Sequence, residues 1–177
     1  MRMTLISFYL TVLLASSSFA DIIIDPDPAD YVPPAGFSLF MIHQGVVNLT
    51  GATAIKLDVT MYSSEWPSGN WLNIGTITIN SGAGWREFTD TAIDRITGLP
   101  CPTVWATSNG DAFRTYSWDI SGQDWSGVTN WMEMIIAVND YLPNAGTIYT
   151  ENLRLIPEPA TIALLGLSGL ALLRRKK

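Results

Sequence analysis

The chain has one cysteine, one histidine and only ten lysines and arginines among its 177 residues. A single thiol, Cys101, rules out an intramolecular disulfide framework. Flanked by Pro100 and Pro102, it belongs in a turn or irregular connection as a small, half-buried side chain. The lone histidine, His43, stands in an apolar run and reads as a packed core or edge residue rather than a base. The sequence has no HExxH pair, no nucleophile elbow and no glycine-rich phosphate loop ahead of a helix. Glu65, Glu87, Glu133 and Glu151 keep two-carboxylate glycoside hydrolysis chemically available, but nothing singles out a pair. The expectation is a protein that is not an enzyme.

Half of the few positive charges sit at the two ends. Met1 to Ala20 begins with Arg2, continues through the mostly apolar Leu5–Ala15 and ends in Ser18-Phe19-Ala20. A cationic start, an apolar stretch and small residues at −3 and −1 describe a secretory signal peptide, cut by signal peptidase before Asp21. At the other end, Pro157-Glu158-Pro159 precedes the uncharged run 160–173, and Arg174-Arg175-Lys176-Lys177 closes the chain. The prolines fix φ and withhold backbone donors, so no strand or helix should continue through them. The run that follows is shorter than the ~20 residues that cross a hydrocarbon core comfortably, which suits a temporary anchor better than a permanent one. The basic terminus stays cytoplasmic by the positive-inside bias.

This order of proline–acid–proline, short span and basic terminus resembles the PEP-CTERM sorting signal. The resemblance covers residues 157–177 and implies an exosortase, a membrane protease-transpeptidase, as partner. It also implies an inner-membrane precursor and release to the cell surface, outer membrane or extracellular matrix.

Between the ends, residues 21–156 form one domain by length. There, fifteen acids face five bases, Lys56, Arg86, Arg95, Arg114 and Arg154, leaving ten net negative charges against six in the whole chain. Such a surface repels nucleic acid, tolerates neutral sugars and attracts divalent cations. Helical periodicity is almost absent. Ala54–Tyr62 alternates Ile55, Leu57, Val59 and Met61 against polar neighbours, as a half-buried strand does. Ile22–Asp25, Trp71–Asn80, Phe113–Ile120 and Thr147–Leu155 read as further strands. Phe37–His43 and Met132–Asn139 are apolar enough to be buried on both faces. Gly75 predicts a bulge or phase change, and Glu87–Thr97 has room for a turn or two of helix. Short strands with Gly/Pro turns between them predict an all-β fold, a β-sandwich of jelly-roll type, flanked by the signal peptide and a C-terminal transmembrane sorting helix. The run from Tyr116-Ser117-Trp118-Asp119 to Glu151-Asn152-Leu153-Arg154-Leu155 resembles the back half of galactose-binding-like jelly-roll modules, which implies a carbohydrate-binding body.

All seven tryptophans lie in this body, and indole faces stack on the C–H faces of pyranoses. Trp66, in the turn Glu65–Trp71, and Trp125, in the Gly122–Gly127 loop, are the expected sugar contacts. For a metal, the acidic start offers Asp25 and Asp27. Glu151, expected on the apolar side of its strand beside Leu153 and Leu155, completes a possible structural calcium site bridging first and last strands, as the jelly-roll resemblance implies. The combined reading is an exported, non-enzymatic surface or matrix protein associated with exopolysaccharide. The alternatives are a carbohydrate-binding module with a defined glycan and, less favoured, a small surface glycosidase.

Overall fold

The computed structural model describes residues 21–80, 85–125, 131–141 and 146–158, with only the backbone at 131 and 132. The signal peptide at 1–20, Pro159 and the span and basic terminus at 160–177 lie outside the described residues.

Among the described residues, eleven strands run in chain order: β1 Ile22–Asp25, β2 Gly36–Val46, β3 Ala52–Met61, β4 Trp71–Asn80, β5 Trp85–Phe88, β6 Asp90–Asp94, β7 Pro100–Cys101, β8 Val104–Ala106, β9 Ala112–Asp119, β10 Trp131–Asp140 and β11 Tyr149–Pro157. They form two sheets. One has the order β1-β11-β3-β9-β6-β7; the other has β2-β10-β4-β5, with β8 also paired to β4. The chain passes from one sheet to the other at every connection except β4–β5 and β6–β7, so those two hairpins are the only consecutive strands paired among the described residues. The protein is an all-β sandwich.

Strand alternation builds the core. Ile55, Leu57, Val59 and Met61 of β3, with Tyr116 and Trp118 of β9, line one inner face. Opposite them lie Leu72, Ile74, Ile77 and Ile79 of β4 and Met134, Ile136 and Val138 of β10. In β4 the buried positions switch from even to odd across Gly75-Thr76, because Ile74 pairs with Val138 and Ile77 with Ile136, leaving two residues against Ala137. This is the bulge expected at Gly75.

Three expectations about strands are corrected. The segment Phe37–His43 is not buried on both faces: β2 is an edge strand, and Phe37, Leu39 and Met41 project from the uncovered side of their sheet. Residues 87–97 contain no helix among the described residues. They form β5 and β6, with Phe88 and Ala92 turned into the core, followed by a turn in which Asp94 Oδ1 accepts from the amides of Ile96 and Thr97, both at 2.8 Å. The last strand, expected over Thr147–Leu155, starts two residues later and runs two residues further. Pro157 pairs with Ala52, and the Glu158 amide donates to the Gly51 carbonyl at 2.6 Å. Proline is tolerated there because it stands at the strand's end, where the missing donor is not needed. Cys101 lies in the short edge strand β7 and not in the turn or irregular connection expected, while its half-buried position against the core is as expected.

On the outer face of the six-stranded sheet, Asp58 is buried among polar partners. Its carboxylate accepts from Thr115 Oγ1 at 2.6 Å and Asn152 Nδ2 at 3.2 Å, and Arg154 Nη1 reaches it at 3.0 Å. Arg154 also pairs with Asp21 at 3.0 Å, joining the first described residue to the last strand. Burial opposes the charged form of Asp58, but the hydrogen bonds from Thr115, Arg154 and Asn152 and the arginine charge outweigh it, holding the carboxyl below its ordinary 3.8. His43 lies below its ordinary 6.5 because burial disfavours the cation, with Asp25 opposing.

These shifts fix the sign of the acid response. As pH falls through 6.5, the unfolded chain takes a proton on His43 that the fold resists, so stability decreases. Below 3.8 the stability contributed by ionised Asp58 is lost as its folded carboxyl titrates. Burial raises the Asp90 carboxyl, and this acts in the opposite sense. Urea midpoints are expected to fall in two stages on acidification, the first absent in His43→Gln. Equal midpoints at about pH 7 and about pH 5 would refute the histidine contribution.

Candidate glycan-binding face

The outer face of the five-stranded sheet is assembled by register. Gln44 of β2 lies opposite Glu133 of β10, Glu133 opposite Asn80 of β4, and Asn80 opposite Trp85 of β5. Because Phe88 turns into the core, Trp85 three positions earlier must turn out, and it is 63% exposed. The Glu133 carboxylate is held from both sides: Gln44 Nε2 donates to Oε1 at 3.3 Å, and Asn80 Nδ2 donates to Oε2 at 3.1 Å. One row across four strands thus carries a flat indole beside a fixed carboxylate and two amides.

A second aromatic platform stands at the opposite end of β4. Trp71 and the exposed Tyr141 stack with ring centroids 5.9 Å apart and planes 17° from parallel. Trp71 begins the strand and Asn80 ends it, a separation of roughly 30 Å at strand rise. Along the intervening outer surface lie Asn73 opposite Asn139, then Thr76 and Thr78. Thr78 neighbours the exposed Glu87 of β5.

The tryptophans singled out from sequence are placed differently. Trp66 is a core residue, packed edge-on against Trp105 at 5.4 Å. The chain closes over it at Gly146, where even a Cβ would come within 2.6 Å of the indole nitrogen. Its Pro/Gly turn is also pinned down, with the Gly69 amide on Thr107 Oγ1 and Asn70 Nδ2 on buried Asp140. Trp125 is buried too: its Nε1 donates to the Ile120 carbonyl at 3.1 Å, and the Arg86 guanidinium covers the ring at 4.6 Å. Neither can stack on a sugar. Among the described side chains, the indoles available on this face are Trp85 and Trp71, and β5 reads too short and mixed in sequence to reveal its outward face.

Glu151 is likewise turned around. Between Glu151 and Arg154, β11 carries one residue more than β3, and Asn152 takes up the excess in the left-handed region at φ 52°. The bulge moves Glu151 to the exposed side, where it faces Arg95 at 3.7 Å, while Leu153 and Leu155 stay buried. Asp25 accepts from the Asp27 amide at 3.1 Å in a local turn, and Asp30 accepts from the Thr150 amide at 3.1 Å. Part of the acidic start is therefore docked on β11 and is not a free leader. Among the described residues, no three His, Cys, Asp or Glu side chains converge as metal ligands, and Asp25, Asp27 and Glu151 do not form such a group.

No match is found among curated proteins. Among solved structures, the fold compares with a xylan-binding module, CBM15, at TM-score 0.35 and 15% identity over 81% of this chain and 88% of that chain. It also compares with the structure of infectious bursal disease virus Gx strain, at TM-score 0.27 and 14% identity over 82% of this chain and 43% of that chain. Residues 155–177 match the PEP-CTERM protein-sorting motif, so this chain ends in a sorting signal and, by that motif, is an exported protein held transiently in the membrane before an exosortase sorts it.

Proposed function

We propose that the sorted domain is a non-enzymatic surface or matrix protein that associates with polysaccharide through the outer face of its five-stranded sheet. The observation that carries this reading is the row Trp85, Asn80, Glu133 and Gln44, in register on four strands, with Trp85 and Gln44 exposed and Asn80 and Glu133 half-buried between them. An exposed indole offers a sugar ring its apolar face, and a carboxylate already fixed by two amides hydrogen-bonds hydroxyls with little ordering cost. The Trp71–Tyr141 pair at the far end favours an extended glycan over a single sugar.

Trp85→Ala is expected to weaken binding about tenfold, the loss of one stacking contact. Stability should stay within about 0.5 kcal/mol of the parent, since the side chain leaves no cavity in the core. Affinity electrophoresis of the full chain in detergent against a polysaccharide panel checks both. Unchanged mobility shifts for Trp85→Ala and for Trp71→Ala would remove this face from consideration.

A further inference from the structure

The middle of the same face contains a gap with a distinct chemistry. On its outer side, β4 pairs with β8 at residues 71–73 and with β5 at residues 77–80. Among the described residues, none pairs as a strand with 74–76 on that side, and the Gly75-Thr76 bulge falls there. The indole of Trp118 partly occupies the opening from within, donating Nε1 to the Gly75 carbonyl at 3.0 Å. What remains is a depression of about 360 Å³ whose lining includes Phe37, Asn73, Thr76, Asp90 and Asn139.

Two oxygens of this lining, Asn73 Oδ1 and Asp90 Oδ2, are buried and have no hydrogen-bond partner among the described residues. Both are acceptors, one belongs to a carboxylate, and among the described residues no lysine or arginine lines the depression. Buried acceptors without donors cost free energy until a donor arrives. A ligand that brings only donors and a positive charge answers all three features at once. A hydroxyl would bring lone pairs as well as its proton, and a calcium ion would need six or more oxygens. An ammonium has three donors and no acceptor, and the exposed ring of Phe37 can face its charge.

Resting on the glycan-binding reading of this face, we propose that the gap at the β4 bulge is a subsite for a protonated primary amine, so that the face selects an aminated polysaccharide over a neutral or N-acylated one. The net negative charge of the domain draws such a chain to the surface, and the gap lies between the two aromatic platforms, where a bound chain would pass. Burial raises the Asp90 carboxyl from its ordinary value, the direction expected where a carboxylate lacks its cation.

The test is calorimetric titration of the full chain in detergent with three hexasaccharides: β-1,4-linked glucosamine, its N-acetylated form, and β-1,4-linked glucose. The amine oligomer is expected to bind about tenfold more tightly than the other two, the gain of one charge-assisted hydrogen bond. Asp90→Asn, nearly isosteric, should bring the three affinities together without changing that for the glucose oligomer. Asn73→Ala should reduce the preference in the same direction, and it serves if Asp90→Asn does not fold. Equal affinities in the parent protein overturn the proposal, and so does an amine preference that survives both substitutions, which would come from the acidic surface at large. If no oligomer binds and Trp85→Ala also changes nothing on the wider panel, the glycan-binding face itself fails. If neutral oligomers bind through Trp85 without an amine preference, only the subsite fails.

Discussion

Replacing Pro157 and Pro159 together with alanine is expected to hold the protein in the inner membrane with residues 160–177 still attached. The sorting motif begins on the sandwich itself: Pro157 is the last residue of β11, and the amide of Glu158 is still bonded to Gly51. Only Pro159 then separates the folded domain from the apolar run. Two proline rings fix φ and withhold donors in this short segment; alanine there removes both restraints and lets the segment turn helical. The released protein, followed by mass spectrometry, should disappear in the double variant. A normally released form ending at Lys177 in the parent would overturn tail processing altogether. Pro157→Ala alone should act more weakly, because pairing with Ala52 keeps that residue extended without the ring.

The second large effect concerns stability. Asp58→Ala is expected to cost about 3 kcal/mol, the lower end for breaking a buried ion pair, and to lower the melting temperature by roughly 10 °C. The carboxylate side chain is 10% exposed and its arginine partner 15%, so removing the acid leaves a largely desolvated guanidinium short of its main acceptor. The lower end applies because Arg154 keeps Asp21. Thr115 and Asn152 also lose an acceptor. The pair Asp58→Leu with Arg154→Leu should be less harmful than the sum of its single substitutions, since no orphaned charge remains. A loss below about 1 kcal/mol for Asp58→Ala would reclassify the network as a solvated surface pair.

The strands of the core were legible because alternation is a local property: Ile55, Leu57, Val59 and Met61 announce an inner face whatever they pack against. The bulge at Gly75 was legible for a similar reason, as a glycine interrupting a β-branched run. Asp58 reads as a solvent-facing strand residue, and only its neighbours on β9 and β11 make it a buried anchor.

The sequence by itself determined what depends on residues close in the chain: the proline–glutamate–proline sorting end, the all-β class and the strand periods. Tertiary structure decided which aromatic and acidic side chains meet solvent, because exposure depends on whether a distant segment covers them. Gly146 closes over Trp66 and Arg86 covers Trp125, whereas nothing among the described residues covers Trp85. One extra residue at Asn152 turns Glu151 outward, since with a side-chain period of two a single insertion exchanges inside for outside.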